Sequence, residues 1–433
     1  MQETTPPPPN PQTQSFSEFL AELFRSFEKE ELRPCVLRNY EGFPSSNVGS
    51  DVDFLIRRSE LPRAIRALQT LPGIRIVGYA ERHYVAHLFV EGVSIAPGIR
   101  SLGLDFGWSL NWKGMEYLAT EDVLRAATPR QAGDLNFLVP SPVHEAVISL
   151  LSSLLIGGWL KEKYFPKVQK IFSGASSEAT AALQPAFGMK ASMQLANAVI
   201  GGDRQKMLNC VLPLRTSLVR CGLLHKPIRS FLSVARYHVR EFAVRCTPET
   251  LETVVISGPD IRARETIIEG LLPMLRNTAK VVERRHFGLQ LFPADEAGEE
   301  VAASDMHTED RSRFSISIAM IIRWVVEEWI SQYAKRANLT LRFDESSGYD
   351  LLAAPKGRSH EVLLRVARSL LPSIELWIRI EGAKEAAPCV LKARMHRVIL
   401  NSDGPAQNMM EKAYAAIVDT LARRTDGKLK DRF

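Results

Sequence analysis

One run constrains this chain more than any other, Gly49-Ser-Asp51-Val-Asp53-Phe-Leu-Ile56. Acids and apolar residues alternate in it, which is the signature of a β-strand. Successive side chains of a strand point to opposite faces, so Asp51 and Asp53 share one face, about 6–7 Å apart at the backbone. Val52, Phe54 and Ile56 take the other face, towards a core. Neighbouring carboxylates repel, and a cation between them relieves the repulsion. Mg²⁺ suits such oxygen ligands and leaves room for substrate phosphates. Leu104-Asp105-Phe106, an acid framed by apolar residues on a later expected strand, offers a third carboxylate. Three acids on neighbouring strands suit a two-metal site for in-line phosphoryl displacement. The plain alternative is a solvated strand face or a helix cap.

The surrounding chain has globular composition. Its 433 residues are 45% hydrophobic and 24% charged, which suits two or three domains and excludes wholesale disorder or a fibre. Lys and Arg number 55 against 49 acids, a net charge of +6 that is compatible with phosphate-bearing ligands but too small to argue for nucleic acid. The five cysteines are scattered and form no CxxC pair, so they read as free thiols in a reducing compartment. No basic-then-apolar leader opens the sequence. The most apolar stretch, Val143 to Leu160, carries Glu145 and several serines and reads as a buried helix. The expectation is a cytoplasmic protein with no membrane partner.

Residues 1–14 form a Pro-rich tail that is expected to be disordered. A helix is expected from Ser15 to Glu30, where Phe16, Phe19, Leu20, Leu23 and Phe27 recur at helical spacing. Strands are expected over Pro34 to Asn39, Asp51 to Ile56, Ile74 to Tyr79, His83 to Val90 and Leu102 to Phe106, with a helix over Leu61 to Leu71. Ser141-Pro142 then opens helical segments at 143–164, 177–200, 203–222 and 227–243. A second α/β unit begins near Thr247-Pro248. It comprises strand Leu251 to Ser257, a helix to Asn277, a mobile acidic loop over 295–311, a helix over 315–336, strands at 339–343 and 374–380, and helices at 360–370 and 405–423.

Residues 15–140 resemble the nucleotidyltransferase superfamily with the DNA polymerase β-type palm fold. The resemblance rests on Gly49-Ser-Asp-Val-Asp53, on Val36-Leu-Arg-Asn-Tyr-Glu41 before it, and on Asp105 on a later strand. It implies that Asp51, Asp53 and Asp105 are catalytic and bind Mg²⁺, with Asp105 assisting the attacking hydroxyl. It also implies that Gly49 and Ser50 lie near the phosphates of a nucleoside triphosphate. One departure stands out. The family's Gly-Ser pair lies well upstream of the acids, and here Arg38-Asn39 stands near that place. Arg38, or Lys161 and Lys163, could offset phosphate charge instead.

The segment Val254-Val-Ile-Ser-Gly258-Pro-Asp260-Ile-Arg-Ala-Arg264-Glu-Thr266 runs from strand through loop to helix, as a phosphate-binding loop does. It looks like the thymidylate kinase-like family, whose loop typically reads Gly-Pro-Asp-Gly-x-Gly-Lys-Ser-Thr. Leu341-Arg-Phe-Asp-Glu345, Tyr349-Asp-Leu-Leu352 and Pro355 extend the likeness over about 250–425. The chemistry is lost, however. Ile261 and Ala263 replace glycines, Arg264 replaces the lysine, Glu265 replaces the hydroxyl that ligates Mg²⁺, and Glu345 replaces an arginine.

Other candidates are weaker. His83 and His87, read on one strand, fall about 13 Å apart, too far for a shared metal. His238 and Glu241 read as a surface contact. Trp324 and Trp329 do not share a helical face.

The sequence therefore implies an α/β multidomain protein. Its parts are a mixed-sheet nucleotidyltransferase palm at 15–140, a helical connector at 141–246, and a parallel-sheet P-loop kinase-like domain at 247–433. The expected activity is Mg²⁺-dependent transfer of a nucleoside monophosphate from a nucleoside triphosphate to an unknown hydroxyl acceptor. Bacterial proteins of this combination are often linked to surface-polysaccharide pathways. The alternatives are a non-catalytic scaffold or regulatory protein, and a residual nucleotide kinase.

Overall fold

The computed structural model describes residues 13–46, 51–159, 161–246, 251–257, 261–279, 281–285, 340–345, 376–381, 396–401 and 405–433. The chain is a mixed α/β protein of two compact units, one of residues 1–243 and 425–433, the other of residues 244–424. The stretch read as palm and the connector as far as residue 243 fall in the same unit. Residues 1–12 of the expected tail over 1–14, the acidic loop, the helices at 315–336 and 360–370, and Trp324 and Trp329 lie outside the described residues. Gln14, read as the end of that tail, is instead held in a strand by pairing with Val93.

The first unit is built on a mixed sheet. Its strands are β1 (Gln14–Ser15), β2 (Cys35–Val36), β3 (Asp51–Leu55), β4 (Arg75–Arg82), β5 (Val85–Ala96), β6 (Ile99–Gly107), β9 (Thr128–Ala132) and β10 (Leu135–Val139), with a separate ribbon of β7 (Leu110–Trp112) and β8 (Met115–Leu118). The order is β1-β5-β6-β3-β2-β10-β9, with β4 also paired to β5. Strands β7 to β10 are absent from the sequence reading: β7 and β8 are only three and four residues long, and β9, mostly exposed, has no apolar alternation that would mark it and its partner β10 as a hairpin.

The N-terminal helix α1 (Phe16–Lys29) starts where its chemistry dictates. Ser15 and Glu18 form a reciprocal capping box that satisfies two orphan amides. Its apolar stripe buries Phe24 and Phe27 against the sheet. Phe54 and Phe106 stack there with ring centroids 5.0 Å apart, and Phe27 meets both edge-on. These rings are opposite one another in the β3–β6 pairing, so one aromatic cluster holds the register of the two strands.

The other side of the same sheet is covered by helices. Leu55, which shares the parity of Asp51 and Asp53, packs with Cys35 in a second core. That core includes Leu151 and Leu154 of α4 (Pro142–Gly157) and Phe172 of α5 (Phe165–Gly174). It extends to Leu195 of α6 (Ser176–Ile200), which is broken at Gly188, and Leu218 of α8 (Val211–His225). Helix α4 is the expected apolar stretch, and most of it is buried. It stops at Gly158, which is left-handed at φ 68°, a conformation glycine adopts without strain. Short α7 (Arg204–Asn209) precedes α8, and α2 (Leu61–Gln69) and α3 (Thr120–Arg125) lie earlier in the chain. Helix α9 (Pro227–Cys246) seats on the β7–β8 turn. Ser233 Oγ donates to Gly114 O at 2.7 Å, and a Cβ at Gly114 would lie 2.7 Å from the Ser233 carbonyl.

The second unit carries a five-stranded parallel sheet of β11 (Leu251–Ser257), β12 (Val281–Arg285), β13 (Thr340–Glu345), β14 (Leu376–Glu381) and β15 (His396–Asn401). Its order is β12-β13-β11-β14-β15, with the first strand in the middle. Helix α10 (Ile261–Met274) follows β11. A C-terminal helix spans Ala406–Arg432, and its last residues belong to the first unit, where Leu429 joins the aromatic core.

Candidate functional site

The acids expected from the sequence converge. Strand β3 carries Asp51 and Asp53 on the face away from Phe54. Strand β6 runs parallel to it and sets Asp105 directly opposite Asp53. One carboxylate oxygen from each of Asp51, Asp53 and Asp105 lies within 4.8 Å of the others. Among the described residues this is the one cluster of three or more potential metal ligands. Oxygen-only donors at this spacing suit a hard divalent cation.

Two side chains hold the cluster in place. Arg38, just beyond β2, forks onto Asp53, with Nε 2.6 Å from Oδ2 and Nη2 3.2 Å from Oδ1. The backbone joins in, since Leu37 N donates to Asp53 O at 2.9 Å. Burial works against the Arg38 charge, but Asp53 outweighs it and holds the guanidinium above its ordinary value. The fork spends one acceptor site on each Asp53 oxygen and leaves lone pairs on both, so it is compatible with metal ligation. On the other flank, His87 Nδ1 lies 2.6 Å from Asp105 Oδ1. The antiparallel β5–β6 pairing sets His87 opposite Asp105. Asp53, Asp105 and His87 thus stand in a row across three adjacent strands.

A cleft of about 480 Å³ opens beside them. Asp53, Asp105, Arg38 and His87 line it, with Trp112 and Tyr237 on its walls. That volume is in the range of small-ligand sites. Tyr117 also lines it, and burial pushes its phenol well above the ordinary value while Arg38 pulls the other way. Lys161 is within electrostatic reach of the acids. Burial and the Arg38 charge hold its ammonium below the usual lysine range, against the pull of Asp53 and Asp51.

No family model matches the chain, and no curated protein or solved structure matches it. The geometry is therefore the ground for any functional reading.

The remaining expectations fare unevenly. Gly49 and Ser50 lie outside the described residues, as do Gly258 and Asp260. Arg264 and Thr266 lie in the first two turns of α10, in the second unit. Arg38 is where a phosphate ligand was expected, but it also pairs with one of the acids. His83 is not on a strand with His87. It occupies the two-residue turn between β4 and β5 with φ 31°, because the tight hairpin needs a positive φ there. Glu241, read with His238 as a surface contact, meets His83 Nε2 at 2.7 Å. The pairing of His87 with Asp105 is not legible in the sequence, because only the strand register reveals it. Cys35, Cys210 and Cys221 are free thiols.

Proposed function

We propose that the first unit is a Mg²⁺-dependent nucleotidyltransferase. The observation that carries this reading is the gathering of Asp51, Asp53 and Asp105 within 4.8 Å on paired strands. Those three residues would hold the cation, which when bound neutralises the triphosphate and the departing pyrophosphate. Asp105, held by His87, accepts the proton of an acceptor hydroxyl. That oxygen attacks the α-phosphorus, a new P–O ester bond forms, the bond to the β-phosphate bridging oxygen breaks, and pyrophosphate leaves with its electron pair. Lys161 and Arg38 offer positive charge to the phosphates. The cleft beside the acids accepts the nucleotide or the acceptor.

The second unit supports the kinase-like reading by its parallel sheet and its strand-to-helix passage from β11 into α10. Ligands of open α/β sheets bind outside the carboxyl ends of the strands. Arg264 and Glu265 at the start of α10 lack the lysine and hydroxyl that phosphoryl transfer uses, so this unit is read as a lapsed kinase. A cytoplasmic location fits nucleotide chemistry.

The test is binding of each nucleoside triphosphate to the full chain by calorimetry, with Mg²⁺ and with EDTA. Binding should need Mg²⁺, vanish in Asp51→Asn with Asp53→Asn, and survive Arg264→Ala. The opposite dependence would favour a kinase. No binding of any nucleotide would leave a scaffold.

A further inference from the structure

A second cavity adjoins the first. It measures about 530 Å³ and lies between α9 and the β4–β5 hairpin. His83, Tyr84 and Tyr237 line both cavities, so the two share a wall. The His83 and Tyr237 rings stack there at 4.0 Å. His83 Nδ1 is buried in that wall with no hydrogen-bond partner.

The lining of this cavity is strongly basic. Arg58, Arg229, Arg236 and Arg240 all face it. Positions 229, 233, 236 and 240 fall on one side of a helix, so α9 presents its arginines as a row. Two of the four charges are already engaged. Arg58 and Arg240 bind Glu81 at 3.1 and 2.6 Å, and Arg432 binds the same carboxylate. Arg229 and Arg236 are different. Both are exposed at the rim, and among the described residues neither forms an ion pair. The acids nearest by contact, Glu81 and Glu241, are taken by arginines and by His83. Among the described residues the cavity therefore carries uncompensated positive charge. Its rim is also apolar, since Ile228 is 75% exposed and Leu232 59% exposed.

We propose that this cavity is the acceptor subsite of the transferase, and that the acceptor bears a phosphate group bound by Arg229 and Arg236. The inference rests on the transferase reading for the word acceptor; the phosphate site itself does not. Arginine forks match phosphate oxygens two at a time and with opposite charge, whereas a neutral sugar would leave both guanidiniums without a counter-charge. The shared aromatic wall sets the acceptor body beside Asp105 while its phosphate stays with α9. The phosphate can belong to a soluble molecule or to a lipid headgroup, for which the exposed apolar rim is suited.

The experiment uses the full chain in EDTA, so that the acids recruit no phosphate through a metal. Inorganic tripolyphosphate is titrated by calorimetry, and vesicles of phosphatidylglycerol are compared with vesicles of phosphatidylcholine by co-sedimentation. Arg229→Ala with Arg236→Ala should weaken one of the two by about tenfold or more. Loss of tripolyphosphate binding marks a soluble phosphate, and loss confined to phosphatidylglycerol vesicles marks a lipid headgroup. Arg229→Lys with Arg236→Lys should retain part of the affinity. Binding that is absent, or equal in wild type and the alanine variant, overturns the proposal. Mg²⁺-dependent triphosphate binding is measured on the same proteins. If it fails in wild type while the arginine-dependent binding persists, the transferase reading falls and the phosphate site stands.

Discussion

Asp53 and Asp105 face each other across two parallel strands, and each is held by a basic partner from a different flank. Arg38 takes Asp53 and His87 takes Asp105. The acids are thus fixed before any ligand arrives, which is how a site avoids paying for reorganisation during reaction. Arg38 also balances part of the repulsion among the three carboxylates.

Arg38 supplies positive charge to Asp53 that a cation held by the three acids would share. Arg38→Ala leaves Asp53, only 8% exposed, beside two other acids. Loss of one partner of a buried pair costs about 3–5 kcal/mol. The variant should be less stable to urea in EDTA, and millimolar Mg²⁺ should recover a larger share of stability than it adds to wild type. Equal effects of Mg²⁺ on the two proteins would show that Arg38 and the cation do not share Asp53.

On the proposed reading, His87 positions Asp105 and is not itself a ligand of the cation. His87→Ala should lower turnover by about tenfold, the usual scale for a supporting residue around a metal. Mn²⁺ binding, read by electron paramagnetic resonance, should change much less than turnover. A variant that loses metal and activity in parallel would place His87 among the ligands.

If Lys161 offers charge to the phosphates as proposed, it gives triphosphate binding a pH limit. Its ammonium is held below the usual lysine range, so it loses its charge at a lower pH than an exposed lysine does. Mg²⁺-dependent triphosphate affinity should therefore decline as pH rises, starting below the ordinary lysine value of about 10.4. Lys161→Gln should bind about fivefold more weakly near neutrality and lack that alkaline decline, within the range of one exposed charge-assisted contact. An unchanged alkaline decline in the variant would remove Lys161 from the phosphate site.

Glu81 ties α9 and the end of the C-terminal helix to strand β4. Its side chain is 4% exposed and accepts Arg58, Arg240, Arg432 and the Tyr79 hydroxyl. Burial alone would raise its carboxyl; the Arg240 and Arg432 contacts outweigh burial and hold it below the usual glutamate range. A carboxylate with a lowered folded pKa stabilises fully above its unfolded value of about 4.3, and the contribution is lost as pH falls through the lower folded value. Glu81→Gln should cost about 3 kcal/mol at pH 7 and progressively less in acid, by urea denaturation at several pH values. A cost that stays constant down to pH 3 would show that shape, not charge, holds this junction.

The legibility of the site follows the range of each interaction. Asp51 and Asp53 were readable because strand alternation is local and the apolar partners Val52 and Phe54 mark the buried face. Asp105 was readable because Leu104 and Phe106 frame it in the same way. His87 was not, since its role depends on the antiparallel register of β5 against β6, some eighteen residues away in sequence. The arginine row of α9 was also hidden. Its basic residues are spread over twelve positions, and nothing in their order says that a hairpin from residue 83 closes the cavity they face.

What the order of amino acids determined by itself was which side of each strand carries acid and which carries the core, because a backbone of period two leaves no other choice. Tertiary structure decided which strands became neighbours. The stacked rings of Phe54 and Phe106 set that pairing from the opposite face of the sheet, and the same register brings Asp53, Asp105 and His87 into one row. Long-range packing selects a register that local alternation permits but cannot choose.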